Sequence, residues 1–229
     1  MTNPIKIVSK KEYSKENKEP NQEEVWDSIA SPWKEYRTKE IPVVAEFLKD
    51  KEGKVIDLGC GSGRNMIKND DIEYYGVDFS GEQLKQAWDY IQKEGINAKL
   101  FKSKADELNK EDFPDDFFDY GLFIAILHCI ESKKKRENAV RGFYRVLKKG
   151  SEAIISVWNS EDERFLGLKG DTYMSWKENN ISYMRYYYLY DKNELVDLFK
   201  KIGFKILEIY DTREHDRFSK KNWIIRVKK

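Results

Sequence analysis

The chain has 229 residues and is 40% hydrophobic, enough to build one large α/β domain around a substantial core. It is 36% charged, yet 42 basic and 41 acidic residues leave a net charge of +1, so no global positive field draws in nucleic acid, and any RNA contact must use local patches or a partner subunit. Cys60, Cys129, His128 and His215 are the only cysteines and histidines, which excludes a disulfide scaffold and a structural zinc site; no long apolar run and no apolar leader is present, so the expectation is a cytoplasmic chain without a membrane span.

Residues 1–21 are mostly Lys, Glu, Ser and Asn and read as a flexible arm, with Ile5, Ile7, Val8 and Tyr13 able to dock. The remainder, 22–229, reads as a single domain. Glu23–Ala30 is expected to be a short helix ended by Ser31-Pro32, because the residue before proline avoids the helical region. Trp33 and Tyr36 read as core packing, whereas Arg37 is harder to assign to a core. Pro42 suits the first turn of a helix reaching Leu48, with Val43, Val44, Phe47 and Leu48 at helical spacing. Val55–Leu58 is an apolar strand that runs into Gly59-Cys60-Gly61-Ser62-Gly63, and Tyr74–Asp78 is a second strand ending in a carboxylate.

Ser80 and Gln83 form a capping-box pattern for a helix that ends near Gly95. Ala98–Phe101 reads as the next strand. Phe117–Ile126 is the expected central strand, and Ile126-Leu127-His128-Cys129 follows it at the crevice. Glu131–Leu147 reads as a helix stopped by Gly150. Its opening Lys133-Lys134-Lys135-Arg136 opposes the helix dipole, as a solvated face or as a phosphate contact. Ala153–Trp158 is the next strand. Residues 159–190 break the β/α alternation, with Tyr173, Trp176, Tyr183, Tyr186, Tyr187, Tyr188 and Tyr190 around Arg185, and read as an insertion roofing the crevice. Asp191–Ile202 is a capped helix stopped by Gly203, and Phe204–Tyr210 with Trp223–Val227 read as a final antiparallel pair.

The chemistry-bearing stretch is Asp57-Leu58-Gly59-Cys60-Gly61-Ser62-Gly63. Glycines there permit positive φ and close approach of a ligand. The spacing is G-x-G-x-G, with Arg64 where a dinucleotide fingerprint has its third glycine. An acid ahead of the loop repels pyrophosphate but suits an ammonium group. Asp78 follows about 20 residues on, the spacing at which an acid accepts both ribose hydroxyls. The alternative is that both acids are ordinary turn residues.

Together these strands resemble the class I S-adenosylmethionine (SAM) methyltransferases. The resemblance implies a Rossmann-like sheet with helices on both faces, an antiparallel last strand, and SAM as methyl donor with S-adenosylhomocysteine as product. It implies that Asp57, Gly59, Cys60, Gly61 and Gly63 hold the methionine part, that Asp78 and Phe79 hold the ribose, and that Ala105, Asp106 and Ile124 line the adenine side. Asp106 reads equally as a solvated acid at a helix start.

Val25-Trp26-Asp27-Ser28-Ile29-Ala30, Tyr36-Arg37-Thr38-Lys39, Ile126-Leu127-His128, Val157-Trp158, Trp176, Arg185-Tyr186-Tyr187 and Asn222-Trp223 resemble one branch, the tRNA wobble-uridine methyltransferases that esterify 5-carboxymethyluridine. What that implies is transfer to the carboxylate of this base in tRNA, giving the methyl ester. It also implies a heterodimer with a small zinc-binding activator subunit, added at the sheet edge formed by the Ala98–Phe101 strand. The chain departs from the branch at Cys129, Ile41 and Tyr188.

A carboxymethyl group has a pKa of roughly 4 and is ionised at neutral pH, so in-line displacement needs no obligatory general base. Arg37 and Arg185 are the expected carboxylate or phosphate clamps, and Tyr186 and Tyr187 the expected base-stacking platform. His128 either bonds the uracil edge or carboxyl, or fills a polar wall. Two other readings stay open: a small-molecule SAM methyltransferase, and a SAM-binding regulatory subunit.

Overall fold

Alternation of buried side chains organises the main sheet. Val55 points into one apolar layer with Val44 and Ala87, while Ile56 and Leu58 point into the other with Phe143 and Phe199. A sheet apolar on both faces needs helices on both. The computed structural model describes residues 5–36, 41–165, 167–212 and 222–229. In chain order these form β1 (Ile7–Ser9), α1 (Lys10–Tyr13), α2 (Gln22–Tyr36), α3 (Pro42–Leu48), β2 (Gly53–Leu58), β3 (Ile72–Asp78), α4 (Gly81–Glu94) and β4 (Ala98–Lys102). Then come β5 (Phe118–Ile124), α5 (Lys133–Val146), β6 (Leu147–Trp158), β7 (Gly170–Glu178), β8 (Ile181–Leu189), α6 (Lys192–Ile202), β9 (Lys205–Asp211) and β10 (Asn222–Lys228).

The seven-stranded sheet has the order β4-β3-β2-β5-β6-β10-β9. Pairs from β4 to β6 are parallel, and β10 runs antiparallel to both β6 and β9. The order reverses between β2 and β5, which places the ligand crevice at their C-terminal ends. The fold is therefore the doubly wound one expected, with its last strand antiparallel.

Local chemistry explains most of the element boundaries. Ser80 caps α4 by accepting from Gln83 N, and Gly95 closes the helix in the left-handed region. Asp191 caps α6 in the same way. Pro42 opens α3 at its first position. Two boundaries differ from the sequence expectation. The first is at Pro32, which lies inside α2 and does not end it. Trp33 packs edge-on against Trp26 and Trp176, and this packing outweighs the lost backbone bond. The second is at the end of α5, which stops at Val146, because Leu147 already pairs with Phe118. Gly150, at φ +85°, instead turns the chain within β6.

Residues 159–190 form a β-hairpin, β7 with β8, that joins β1 in a separate three-stranded sheet of order β1-β7-β8. The arm expected to be flexible is docked here. Ile7–Ser9 pairs with Thr172–Met174, Lys6 N donates to Ser175 Oγ, and Tyr13 packs on Tyr173. Apolar residues at alternate positions give the arm a strand face despite its polar composition. Among the described residues no helix is long and apolar enough to cross a membrane.

Candidate active site

β2 delivers the glycine loop to the mouth of a cavity of about 340 Å³, within the range of small-ligand sites. Gly59, at φ +80°, donates its N–H to Val77 O, and a Cβ there would lie 2.1 Å from the Ile126 side chain. Gly61 has φ +53°, and a Cβ there would meet only the Gln83 side chain, at 3.6 Å. The first glycine is required by packing. The second leaves its backbone open on the cavity side.

Asp57 is 0% exposed, and neither of its carboxylate oxygens has a hydrogen-bond partner among the described residues. Burial first, then the charge of Asp78, push its carboxyl up to about 7, while Arg64 pulls the other way. Burial also lifts Asp78, to about 6, against the backbone N–H groups of Ser80, Gly61 and Phe79. Asp78 accepts from Gly61 N at 2.9 Å through one oxygen and from Ser80 N at 2.9 Å through the other. Each oxygen keeps a lone pair for a further donor. Two buried acids of this kind call for a ligand that carries positive charge and hydroxyl groups.

Eight of the ten expected cofactor residues line the cavity: Gly59, Cys60, Gly61 and Asp78 on one side, Phe79, Ala105, Asp106 and Ile124 on the other. Asp57 does not line it and reaches it through its field, coupled to the lining residues Asp78 and Arg64. Gly63 packs against Ala87 and Tyr90 of α4 and serves helix–loop contact. Ala125, just past β5, takes φ +59° at the cavity wall, a conformation kept where the surrounding fold over-determines it. Its N–H is held by both Ser156 O and Ser156 Oγ.

The four expected catalytic residues separate. Arg37 lies outside the described residues. Arg185, 4% exposed, stands in an aromatic box, its guanidinium carbon 5.1 Å from the Trp33 ring, 5.2 Å from Trp176, 5.4 Å from Tyr187 and 6.0 Å from Trp26. Its Nε has no hydrogen-bond partner, and no carboxylate pairs with it, among the described residues. Trp26 and Trp33 also line the cavity. A desolvated guanidinium without a counter-ion is an anion receptor.

Tyr186 is a correction. On β8 it points to the opposite face from Arg185, is fully buried, and donates its hydroxyl to Asp171 while accepting from Arg136 Nη1 at 2.8 Å. It supports the roof and offers no stacking face; Tyr187 shares the Arg185 side. His128 is 1% exposed, stacks on Trp158 and Tyr187 at 5.1 and 5.6 Å, and is not among the residues that line the cavity.

Sequence reasoning missed Trp26 and Trp33 as site residues. Seven residues apart, they fall on one face of a helix only if that helix continues through Pro32. Arg136 was missed too: within the expected lysine-rich patch it alone is buried, bonded to Ile130 O and Tyr186.

Known proteins agree with this geometry. A family model described as a methyltransferase domain matches residues 49–209. A tRNA (carboxymethyluridine(34)-5-O)-methyltransferase of Schizosaccharomyces pombe is 29% identical over 215 residues, covering 81% of this chain and 89% of that protein. The protein of the same name in Saccharomyces cerevisiae is 30% identical, over 66% of this chain and 54% of its own length. A methyltransferase structure from Streptomyces caelestis superposes with a TM-score of 0.73 at 14% identity, covering 91% of this chain and 99% of that one. With buried acids, open glycine backbone and cavity all suited to SAM, the chain belongs to the methyltransferase-domain family and is a SAM-dependent methyltransferase of class I fold.

Proposed function

We propose that the chain methylates the carboxylate of 5-carboxymethyluridine at the wobble position of tRNA, giving the methyl ester. The reading is supported by the activity for which the two yeast relatives are named and by the segments that resemble that branch. The observation that carries it is Arg185, a buried guanidinium beside the cofactor cavity that no carboxylate pairs with among the described residues. SAM bound in that cavity supplies an electrophilic methyl group on a sulfonium.

The chain's own residues then have position and environment to provide. Arg185 holds the acceptor carboxylate by one oxygen and leaves the other free to react, because a full clamp on both would blunt the nucleophile. Trp26, Trp33, Trp176 and Tyr187 keep water from the guanidinium, which strengthens its pull. A carboxylate already ionised needs no proton removed, which fits a His128 engaged in a ring stack. The same reading gives the outer edge of β4 to a small zinc-binding activator subunit, since an uncovered parallel edge is a liability that proteins cover, and it gives the complex a cytoplasmic site of action.

The test is transfer of labelled methyl from SAM to tRNA carrying 5-carboxymethyluridine, with and without the activator. Alkali-labile label at the wobble uridine is expected. Arg185→Ala should lower it at least about a hundredfold, to a residual rate, while SAM affinity by calorimetry stays within about twofold. Alkali-stable label, or an Arg185→Ala protein with normal transfer, would overturn the carboxylate reading.

A further inference from the structure

β8, the strand that carries Arg185, is the outer strand of the roof sheet. One side of it pairs with β7, where Arg185 stands opposite Met174. On the other side no strand follows among the described residues, yet its backbone groups at Met184 and Tyr186, the residues flanking Arg185, are not left open. Gln22 Oε1 accepts from Tyr186 N at 2.8 Å, and Gln22 Nε2 donates to Met184 O at 3.2 Å. This is the two-bond pattern that a neighbouring strand would make, supplied by one carboxamide 164 positions away in sequence.

Gln22 is 8% exposed and lines the cofactor cavity as the first residue of α2. The same turns of α2 are fixed to the cofactor half of the molecule. Glu23 pairs with Lys102 at the end of β4, at 2.9 Å, and Asp27 accepts from the α4 cap residue Ser80 at 2.5 Å. Farther along α2, Trp26 and Trp33 flank the guanidinium. The helix is thus bonded to the ribose-side loop at one face and to the Arg185 strand at the other, and Gln22 makes the second connection.

We propose that Gln22 is a positioning residue: its carboxamide acts as a surrogate strand that sets Arg185 in register with the cofactor cavity. It touches no reacting atom and acts through Arg185. Its kinetic consequence rests on the reading of Arg185 as the acceptor clamp, whereas the placement of Arg185 does not.

Two measurements separate these. Gln22→Met keeps length and volume but removes both bonds; Gln22→Glu keeps an acceptor for Tyr186 N–H and loses the donor to Met184 O. The Arg185 Nε–H resonance, assigned by its absence in Arg185→Ala, is shifted by the ring faces of the three tryptophans. In Gln22→Met it should move toward the position of a solvated arginine, with Gln22→Glu between, while amide signals of the seven-stranded sheet stay in place. An unmoved resonance in Gln22→Met overturns the proposal.

The second measurement is a double-mutant cycle on methyl transfer to tRNA carrying 5-carboxymethyluridine. Gln22→Met should lower kcat/KM for the acceptor roughly tenfold, leave SAM affinity within about twofold, and cause no further loss in the Arg185→Ala background. A loss that compounds fully with Arg185→Ala would show general loosening of the fold and overturn the positioning role. If Arg185→Ala transfers normally while Gln22→Met still moves the resonance, the clamp reading fails and the placement stands.

Discussion

The titration of Asp57 should be visible in cofactor binding. In the ligand-free protein burial and the neighbouring Asp78 hold this carboxyl at about 7, with Arg64 opposing; Tyr74 and Cys60 are the other titratable groups that feel its charge, and both stay neutral because they are themselves raised. The α-ammonium of SAM, with an ordinary pKa near about 8, is protonated throughout the acid range and favours the ionised acid. If only ionised Asp57 supports tight binding, the competent fraction falls from about one half at about pH 7 to about 0.03 at about pH 5.5. SAM affinity then drops about 16-fold, or about 1.6 kcal/mol. Asp78, held at about 6, adds a shallower loss of about fourfold over the same range. Calorimetry at both pH values, in buffers of different ionisation heat, should also show release of about half a proton on binding at about pH 7. Asp57→Asn should retain only the fourfold dependence. An affinity that is flat with pH, or a slope that survives in Asp57→Asn, would refute the role given to this carboxylate.

The same titration affects ligand-free stability with a definite sign. Asp57 binds its proton more tightly folded than unfolded, so its contribution is stabilising below about pH 4 and is lost as pH rises toward about 7, with a ceiling of about 4 kcal/mol. Urea midpoints of Asp57→Asn relative to the parent should therefore rise across that window, and a constant difference would contradict it. Gly59→Ala drives a Cβ into Ile126 at a positive φ and should cost about 1–3 kcal/mol in urea unfolding along with SAM binding; full stability would show that the loop relaxes freely. Tyr186→Phe strips the hydroxyl from Asp171 and Arg136 and should cost about 1–3 kcal/mol of stability while leaving transfer by the folded protein within about twofold. Loss of transfer at unchanged stability would return Tyr186 to the acceptor site.

What could be read from the residue string was what local chemistry decides. The run Val55–Gly63, the acid after β3, the caps at Ser80 and Asp191 and the stops at Gly95 and Gly203 each depend on neighbours within a few positions, and each was found where the spacing put it. The acceptor side was legible only in part. Arg185 stands out as a cation among aromatics, but two of the tryptophans that make its box come from α2, far away in sequence. The local rule that proline ends a helix hid the Trp26–Trp33 face. The sequence marks the roof only as an insertion over the crevice, so strand alternation is not available to show that Tyr186 and Tyr187 must face opposite ways. The docked arm was obscured for a related reason: three residues of edge strand gain their stability from the hairpin they join and carry little signal alone.

The two halves of the site share an electrostatic logic. On the cofactor side Asp57 has no bonded donor among the described residues, and burial raises its carboxyl to about 7. On the acceptor side no carboxylate is bonded to Arg185 among the described residues. Opposite charges buried in one active-site region would ordinarily find each other, since an unpaired buried charge is costly and a pair recovers several kcal/mol. Here tryptophans from α2 and the roof hold the guanidinium in an aromatic setting, and Asp57, ahead of the glycine loop, is not among the residues that line the cavity. In the proposed reaction a ligand completes each half: a cation near Asp57, where Arg64 already opposes the effect of burial, and an anion at Arg185. A site that kept its acid and its guanidinium paired would be more stable empty and would bind both ligands less well. In the proposed reaction the donor is a cation and the acceptor an anion, and their charges cancel as the methyl group is transferred.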